Sequence, residues 1–320
     1  MQENSIIQQR LESVQELLNH YFDSIDCEAF GRFRQDFTLG KMLRSKLLLA
    51  IAPNNADSIK LCAIIELVHF ASLLHDDVID SASLRRGMQS INAKYGDKNA
   101  IMLGDILYSK AFYEVALMGG EFATIISNAV FELSLGELDD VFLSQSLNLD
   151  SAKYITMISR KTASLIEAAA ICGGILRDDF RGILSSDSVE KAHKIQKYQI
   201  YGQSLGIAFQ IIDDLLDVTQ SDSTLGKEAF SDFKEGKTTL PYIYLYEKLD
   251  ENDRAILMSY FKLSLNAEQK RWITEQLTKH NIIKQVQNLA KDYGNRALSV
   301  LDSNDNNLRQ IITDMIDREF

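Results

Sequence analysis

Residues 70–90 read FASLLHDDVIDSASLRRGMQS, and residues 209–219 read FQIIDDLLDVT. Each stretch sets three aspartates with DDxxD spacing inside an apolar run: Asp76, Asp77 and Asp80 in the first, Asp213, Asp214 and Asp217 in the second. On a helix, residues four apart share a face. Asp76 therefore projects with Asp80 and Asp213 with Asp217, while Asp77 and Asp214 stand about 100° around from their predecessors. The neighbours Leu73, Leu74, Val78 and Ile79, like Ile211, Ile212, Leu215 and Leu216, ask for burial. Crowded carboxylates in such surroundings repel one another, so a cation must compensate. Magnesium suits the pattern, because it takes one or two carboxylates and leaves its other positions to water and phosphate oxygens. Two facing helices so equipped could clamp a metal-bound diphosphate. One aspartate pair alone reads as a solvated acidic helix face, but two copies with the same spacing inside apolar helices do not.

The chain carries its own control. Asp178 and Asp179 have Gly182 where a third aspartate would stand and lie in the turn-rich stretch RDDFRGILSSDS, which reads as a surface loop. A calcium loop is excluded too, since neither triad has the alternating ligands and central glycine of an EF-hand.

Beyond the triads, apolar residues recur at three- and four-residue spacing, as with Ile7, Leu11, Val14 and Leu18, and only two prolines, Pro53 and Pro241, interrupt the chain. The expectation is an all-α fold: one large helical domain over residues 1–320, a bundle around a central cavity. Strand signals such as YIYLY lie within longer helical patterns and lack hairpin turns. The formal net charge of −11 argues against broad attraction to nucleic acid or an anionic membrane, so any anion site must be local. Cys27, Cys62 and Cys172 are odd in number and ungrouped, which disfavours a disulfide framework or a zinc site. The polar, amphipathic N-terminus and the lack of ~18 uninterrupted apolar residues lead to the expectation of a soluble, cytoplasmic protein without a membrane span.

In so acidic a chain the basic residues near the triads are informative. Arg85 and Arg86 follow the first triad, Lys41 and Arg44 fall in LGKMLRS, Lys161 in SRKTAS, and Lys227 and Lys237 after the second triad. Arginine suits bidentate contact with phosphate oxygens and lysine acts as a mobile point charge, so two anionic substrates could be held, one through metal and one through bare cations. The GK pairs do not have P-loop spacing. His75 precedes Asp76, and His69 lies about two turns earlier on the same face; a helical histidine is more often packed than ligating.

These motifs resemble those of the trans-isoprenyl diphosphate synthases, the polyprenyl synthetase family. The likeness runs in family order from GKMLR through ELVHFASLLHDDVIDSASLRRG, GDILYSKAF, GELDD and RKTASLIEAA to FQIIDDLLDVT and FKEGKTTLP. It implies a Mg²⁺-dependent, head-to-tail prenyltransferase that condenses isopentenyl diphosphate with an allylic diphosphate primer, farnesyl diphosphate being the expected one, and works as a homodimer. By the resemblance, the six aspartates hold Mg²⁺ on the allylic diphosphate with Arg85, Lys161, Lys227 and Lys237. Lys41, Arg44, His69 and Arg86 match the isopentenyl diphosphate site, and Thr162 and Gln210 line the reacting centre. Two departures stand out. The family's usual GGKRxRP is here LGKMLRS, with Leu39 for the first glycine and Ser45 for the proline, and Asp140 stands where many long-chain members have glutamine, leaving an extra metal contact open there.

One turn before Asp76, where a growing hydrocarbon tail would run, Ala71 and Ser72 are small. Short-chain members of the family often have aromatic rings there, so the expectation is an open tunnel and a long all-trans polyprenyl product; failing that, the floor would lie among Phe112, Met118 and Phe131. The alternatives are a short-chain farnesyl or geranylgeranyl synthase and, in another class, a catalytically silent regulatory subunit of a heteromeric synthase. A ferritin-like metal store lacks its ExxH pairs.

Overall fold

A computed structural model describes residues 2–177, 189–220 and 229–316. The chain is all-α. In order, the helices are α1 (Gln2–Asp23), α2 (Glu28–Arg34), α3 (Leu43–Ile51), α4 (Ala56–Ile79), α5 (Ile91–Tyr95), α6 (Asp97–Ala116), α7 (Gly120–Leu143), α8 (Ser151–Ile158), α9 (Ser164–Arg177), α10 (Val189–Thr219), α11 (Ser231–Lys234), α12 (Leu240–Lys248), α13 (Glu251–Tyr260), α14 (Ala267–Lys279), α15 (Ile282–Ser299) and α16 (Asn306–Ile316). Between α8 and α9 the residues Ser159–Ala163 form a π turn. The polar residues that start these helices act as caps: the side chains of Asn55, Asp150, Asp250 and Asn266 each accept a hydrogen bond from a first-turn backbone N–H. Pro241 falls in the first turn of α12, where a missing N–H costs nothing.

Apart from the helices, after α4 the chain makes one small antiparallel hairpin among the described residues, β1 (Leu84–Arg85) with β2 (Met88–Gln89). Its two turn residues, Arg86 and Gly87, both have positive φ, +54° and +75°, the geometry that matches the twist of a tight hairpin. Strands of two residues leave no alternation to read; the only sequence signal is the glycine after Arg86.

The chain forms two compact units. The first comprises Met1–Val130, Leu165–Gly202 and Asp302–Leu308; the second comprises Phe131–Ser164, Gln203–Leu301 and Arg309–Phe320. The core of the first is built around α4, whose Leu61, Ile64, Ile65, Leu67 and Val68 are fully buried beside Val14 and Leu18 of α1 and Leu103 and Leu107 of α6. By length and composition α4 could cross a membrane, but 67% of its most apolar window is buried within the protein, as befits a central core helix. In the same unit, Asp305 accepts hydrogen bonds from Arg177 (2.8 Å) and Lys197 (2.6 Å), tying the segment before α16 to α9 and α10. The second core gathers Ile211, Ile212 and Leu215 with Phe233, Tyr242, Leu245, Ile273 and Val286.

Candidate active site

Within the first unit, Asp76 and Asp77 lie in the last turn of α4 and Asp80 is its C-cap residue. Asp76 and Asp80 are partly exposed, whereas Asp77 is 2% exposed. The buried carboxylate is held by Arg85, whose Nε and Nη2 both approach Asp77 Oδ1 at 2.7 Å. Burial pushes the Asp77 carboxyl above its ordinary range, the Arg85 charge opposes that, and Asp76 and Asp80 add to the rise. The hairpin that delivers Arg85 is fastened at its base: Asn92 Nδ2 donates to the carbonyls of Asp77 (3.0 Å) and Ala82 (3.1 Å). At the hairpin tip, Arg86 Nη1 donates to Thr38 O (2.7 Å), and its guanidinium packs so close to Gly40 that a methyl there would lie 2.8 Å from Arg86 Cζ.

Two of the other cations of this unit, Arg44 and Arg86, act on a buried acid. Glu66, on α4, is 5% exposed and accepts a hydrogen bond from Ser45 Oγ of α3 (2.7 Å). Arg44, beside Ser45, is partly buried, and burial lowers its pKa against the pull of Glu66. His69, one turn beyond Glu66, is driven well below the usual imidazole range by burial and then by Arg44, Arg86 and Arg85, which leaves a neutral ring at physiological pH. Lys41 is exposed. His75 packs α4 on α6: its Nε2 lies 3.1 Å from Ile101 O and 3.4 Å from Asp105 Oδ1, and its ring is 5.7 Å from that of Tyr108. Ala71 is fully buried and Ser72 nearly so, the Ser72 hydroxyl turned back onto His69 O.

The second triad belongs to the second unit, on the last turns of α10. Helical spacing alone puts Asp213 and Asp217 on one face, yet Asp213 is exposed and Asp217 is 1% exposed. The difference comes from residues 230–232, which fold over Asp217: Ser231 Oγ donates to its carboxylate (3.0 Å) and the Phe230 N–H to its carbonyl (3.0 Å). Asp214 is also buried and accepts hydrogen bonds from the Tyr154 hydroxyl and from Gln210 Nε2 (2.7 Å). The Gln210 carbonyl in turn accepts from Thr162 Oγ1 (2.7 Å), so Thr162, Gln210, Asp214 and Tyr154 form one chain of hydrogen bonds. Burial, then the Asp232 charge, pushes the Asp214 carboxyl well up, against its two hydrogen bonds.

Lys161 and Thr162 stand in the π turn, a one-residue excess that occurs most often at functional sites. Gly136 of α7 allows the turn to come this close, since a methyl there would lie 2.6 Å from Lys161 Cα. Lys161 Nζ sits 2.7 Å from both Glu137 Oε2 and Asp140 Oδ2, so Asp140, a suggested extra metal contact, is the partner of a lysine in this structure. Lys237 is 2.9 Å from Glu235. Lys227, with Asp178 and Asp179, lies outside the described residues. Phe131 is exposed, which disfavours it as a tunnel floor, whereas Phe112 stacks on Tyr108. Sequence reading missed Tyr154, Asp232, Glu66 and Ser231; the DFxxGK run carrying Asp232 was the one available cue.

The triads offer hard carboxylate oxygens, the donor type magnesium prefers, although among the described residues no three acidic, histidine or cysteine side chains gather into a group that could hold a metal ion.

Such residues define a class, that of helical proteins carrying two DDxxD triads with nearby basic side chains. The polyprenyl synthetase family model matches residues 33–277, and the chain belongs to that family. It is 42% identical to an octaprenyl pyrophosphate synthase of Helicobacter pylori, with a TM-score of 0.88, covering 97% of this chain and 99% of that one. A polyprenyl synthase of Caulobacter crescentus, solved with calcium and isoprenyl diphosphate, is 27% identical with a TM-score of 0.87 over 99% of this chain and 97% of that one. A geranylgeranyl diphosphate synthase of Saccharolobus solfataricus is 32% identical over 85% of this chain and 80% of its own length. The chain is therefore an isoprenyl diphosphate synthase, a prenyltransferase acting on isoprenoid diphosphates.

Proposed function

We propose that this enzyme condenses isopentenyl diphosphate with an allylic diphosphate primer, farnesyl diphosphate in the first instance, to make a long-chain all-trans polyprenyl diphosphate. The observation that carries the reading is the division of labour within the triads. Asp77, Asp214 and Asp217 are buried and held by Arg85, by Tyr154 with Gln210, and by Ser231, while Asp76, Asp80 and Asp213 reach solvent. On this reading Asp76, Asp80 and Asp213 are the direct Mg²⁺ ligands and the buried three fix their backbones. Bound magnesium would neutralise the diphosphate and ease its departure.

The chain's own cations do the remaining electrostatic work. Lys161 and Lys237, with Arg85 and Lys227 by the family pattern, offset charge as the carbon–oxygen bond of the allylic diphosphate breaks and its electron pair leaves with the diphosphate. The double bond of isopentenyl diphosphate, held by Lys41, Arg44, His69 and Arg86, attacks the allylic carbon; a carbon–carbon bond forms, and the resulting cation gives up a proton to the departed diphosphate to restore a double bond. The Thr162–Gln210 pair lines the reacting carbon, and no nucleophile of the protein is needed.

Small side chains at Ala71 and Ser72 and the likeness to an octaprenyl synthase favour a long product; the geranylgeranyl relative keeps a short one as the second reading. Apolar side chains left exposed on α7, Phe131, Leu138 and Phe142, support a homodimer, and buried, unpaired Cys62 and Cys172 agree with a cytoplasmic protein. The test is incubation with Mg²⁺, farnesyl diphosphate and isopentenyl diphosphate, with products resolved by length. A discrete long product is expected, a product stopping at geranylgeranyl selects the second reading, and no elongation of any primer by folded protein overturns both.

A further inference from the structure

Glu66 poses a problem that the proposed reaction does not solve. A buried carboxylate is expensive unless it is well partnered, and one near a bound diphosphate would also repel it. Ser45, through its hydroxyl and its backbone, is a neutral and therefore weak partner for it. The geometry around it supplies a reason. Ser45 lies in the first turn of α3 directly after Arg44, so a bond from Ser45 to α4 fixes the backbone that carries Arg44. Arg86 donates to Thr38 O and packs close against Gly40. The charges of Arg44 and Arg86 both act on Glu66, drawing down a carboxyl that burial raises, and Arg44 Nε is buried without a hydrogen-bond partner of its own.

We propose that the buried Ser45–Glu66 pair is a positioning device that fixes the start of α3, and with it Arg44, for the diphosphate of isopentenyl diphosphate, and sets affinity for that substrate without touching it. Ser45, which stands where the family pattern has proline, supplies this chain with a hydroxyl donor that proline lacks. The inference rests on the reading of Lys41, Arg44, His69 and Arg86 as the isopentenyl diphosphate site.

The sign of one substitution separates this from a bystander role. Removing a negative charge near a bound anion should tighten binding if Glu66 does nothing else, whereas loss of a positioning group should weaken it. Glu66→Gln and Ser45→Ala are compared with wild type by steady-state kinetics, each substrate varied with the other saturating, with folding followed by circular dichroism. The expected result is a KM for isopentenyl diphosphate raised about ten-fold by Glu66→Gln and about three-fold by Ser45→Ala, with the KM for the allylic primer changed less than about two-fold. An unchanged or lowered KM for isopentenyl diphosphate, or an equal rise for both substrates, overturns the proposal. Should Glu66→Gln fail to fold, Ser45→Ala decides alone by the same criteria. A wild-type enzyme that elongates no primer sinks the functional reading itself, an outcome distinct from active variants with unaltered KM.

Discussion

Asp213 and Asp214 are neighbours in sequence with opposite surroundings, one in solvent and one beneath Tyr154 and Gln210, and the division of labour predicts opposite responses. Asp213→Ala should lower turnover by roughly two to three orders of magnitude, the scale of losing a principal electrostatic contact at the reacting centre, with little change in melting temperature. Tyr154→Phe should instead cost about 1–3 kcal/mol of stability, since it strips a donor from a buried carboxylate, and should lower turnover far less. Turnover and thermal unfolding of both variants check this; equal turnover losses would refute the division. Tunnel length is also a residue-scale matter. Ala71→Phe should shorten the product, read by chromatography of the prenyl chains, and an unchanged distribution would move the floor to Tyr108 and Phe112, which stack on the facing helix α6.

At the scale of elements, the contacts that place the site are backbone approaches and buried ion pairs. Gly136→Ala pushes a methyl into the π turn that presents Lys161 and Thr162, and should cost about 1–3 kcal/mol as an overpacked contact while reducing turnover, measured by denaturant unfolding and by rate. Asp305 is buried, which raises its carboxyl, but hydrogen bonds from Lys197 and Arg177 outweigh burial and leave its pKa below the ordinary value. A depressed folded-state pKa stabilises the protein above the unfolded carboxylate range and is lost as pH falls through the folded value. Asp305→Asn should therefore destabilise by about 2 kcal/mol at neutral pH, with the gap to wild type closing in acid, as followed by unfolding at several pH values. Much of this level was legible beforehand. The DDxxD spacing and the apolar period of α1 identify the helices and both triads, because those signals are local. The covering of Asp217 by Ser231 and of Asp214 by Tyr154, sixty residues away, was not, since it depends on long-range packing. The hairpin carrying Arg85 was hidden by its two-residue strands.

For the whole molecule, the acidic surface and the exposed apolar residues lead to an assembly prediction. On α7, Phe131, Leu138 and Phe142 are spaced by seven and four residues, so they form one stripe, and each is more than half exposed. Monomers rarely leave such stripes open, and a two-fold pairing of identical faces would cover them. Wild-type protein should sediment as a dimer and a Leu138→Glu, Phe142→Glu double variant as a monomer; a monomeric wild type would remove the homodimer from the account. The six aspartates, and Arg85 held against Asp77, were visible from the sequence at this scale as well, yet the assignment of each triad to its own compact unit was not, because composition shows no linker between them.

The π turn at Ser159–Ala163 also has a historical reading. It holds one residue more than an α-helix would, and losing that residue would rotate one flank against the other by about 100°. Lys161 and Thr162 would turn away from Asp140 and Gln210 even with every side chain retained. Selection on this stretch should thus act on its length as strictly as on its composition, and descendants of this gene should tolerate substitution at Ser159 long before they tolerate a codon gained or lost beside it.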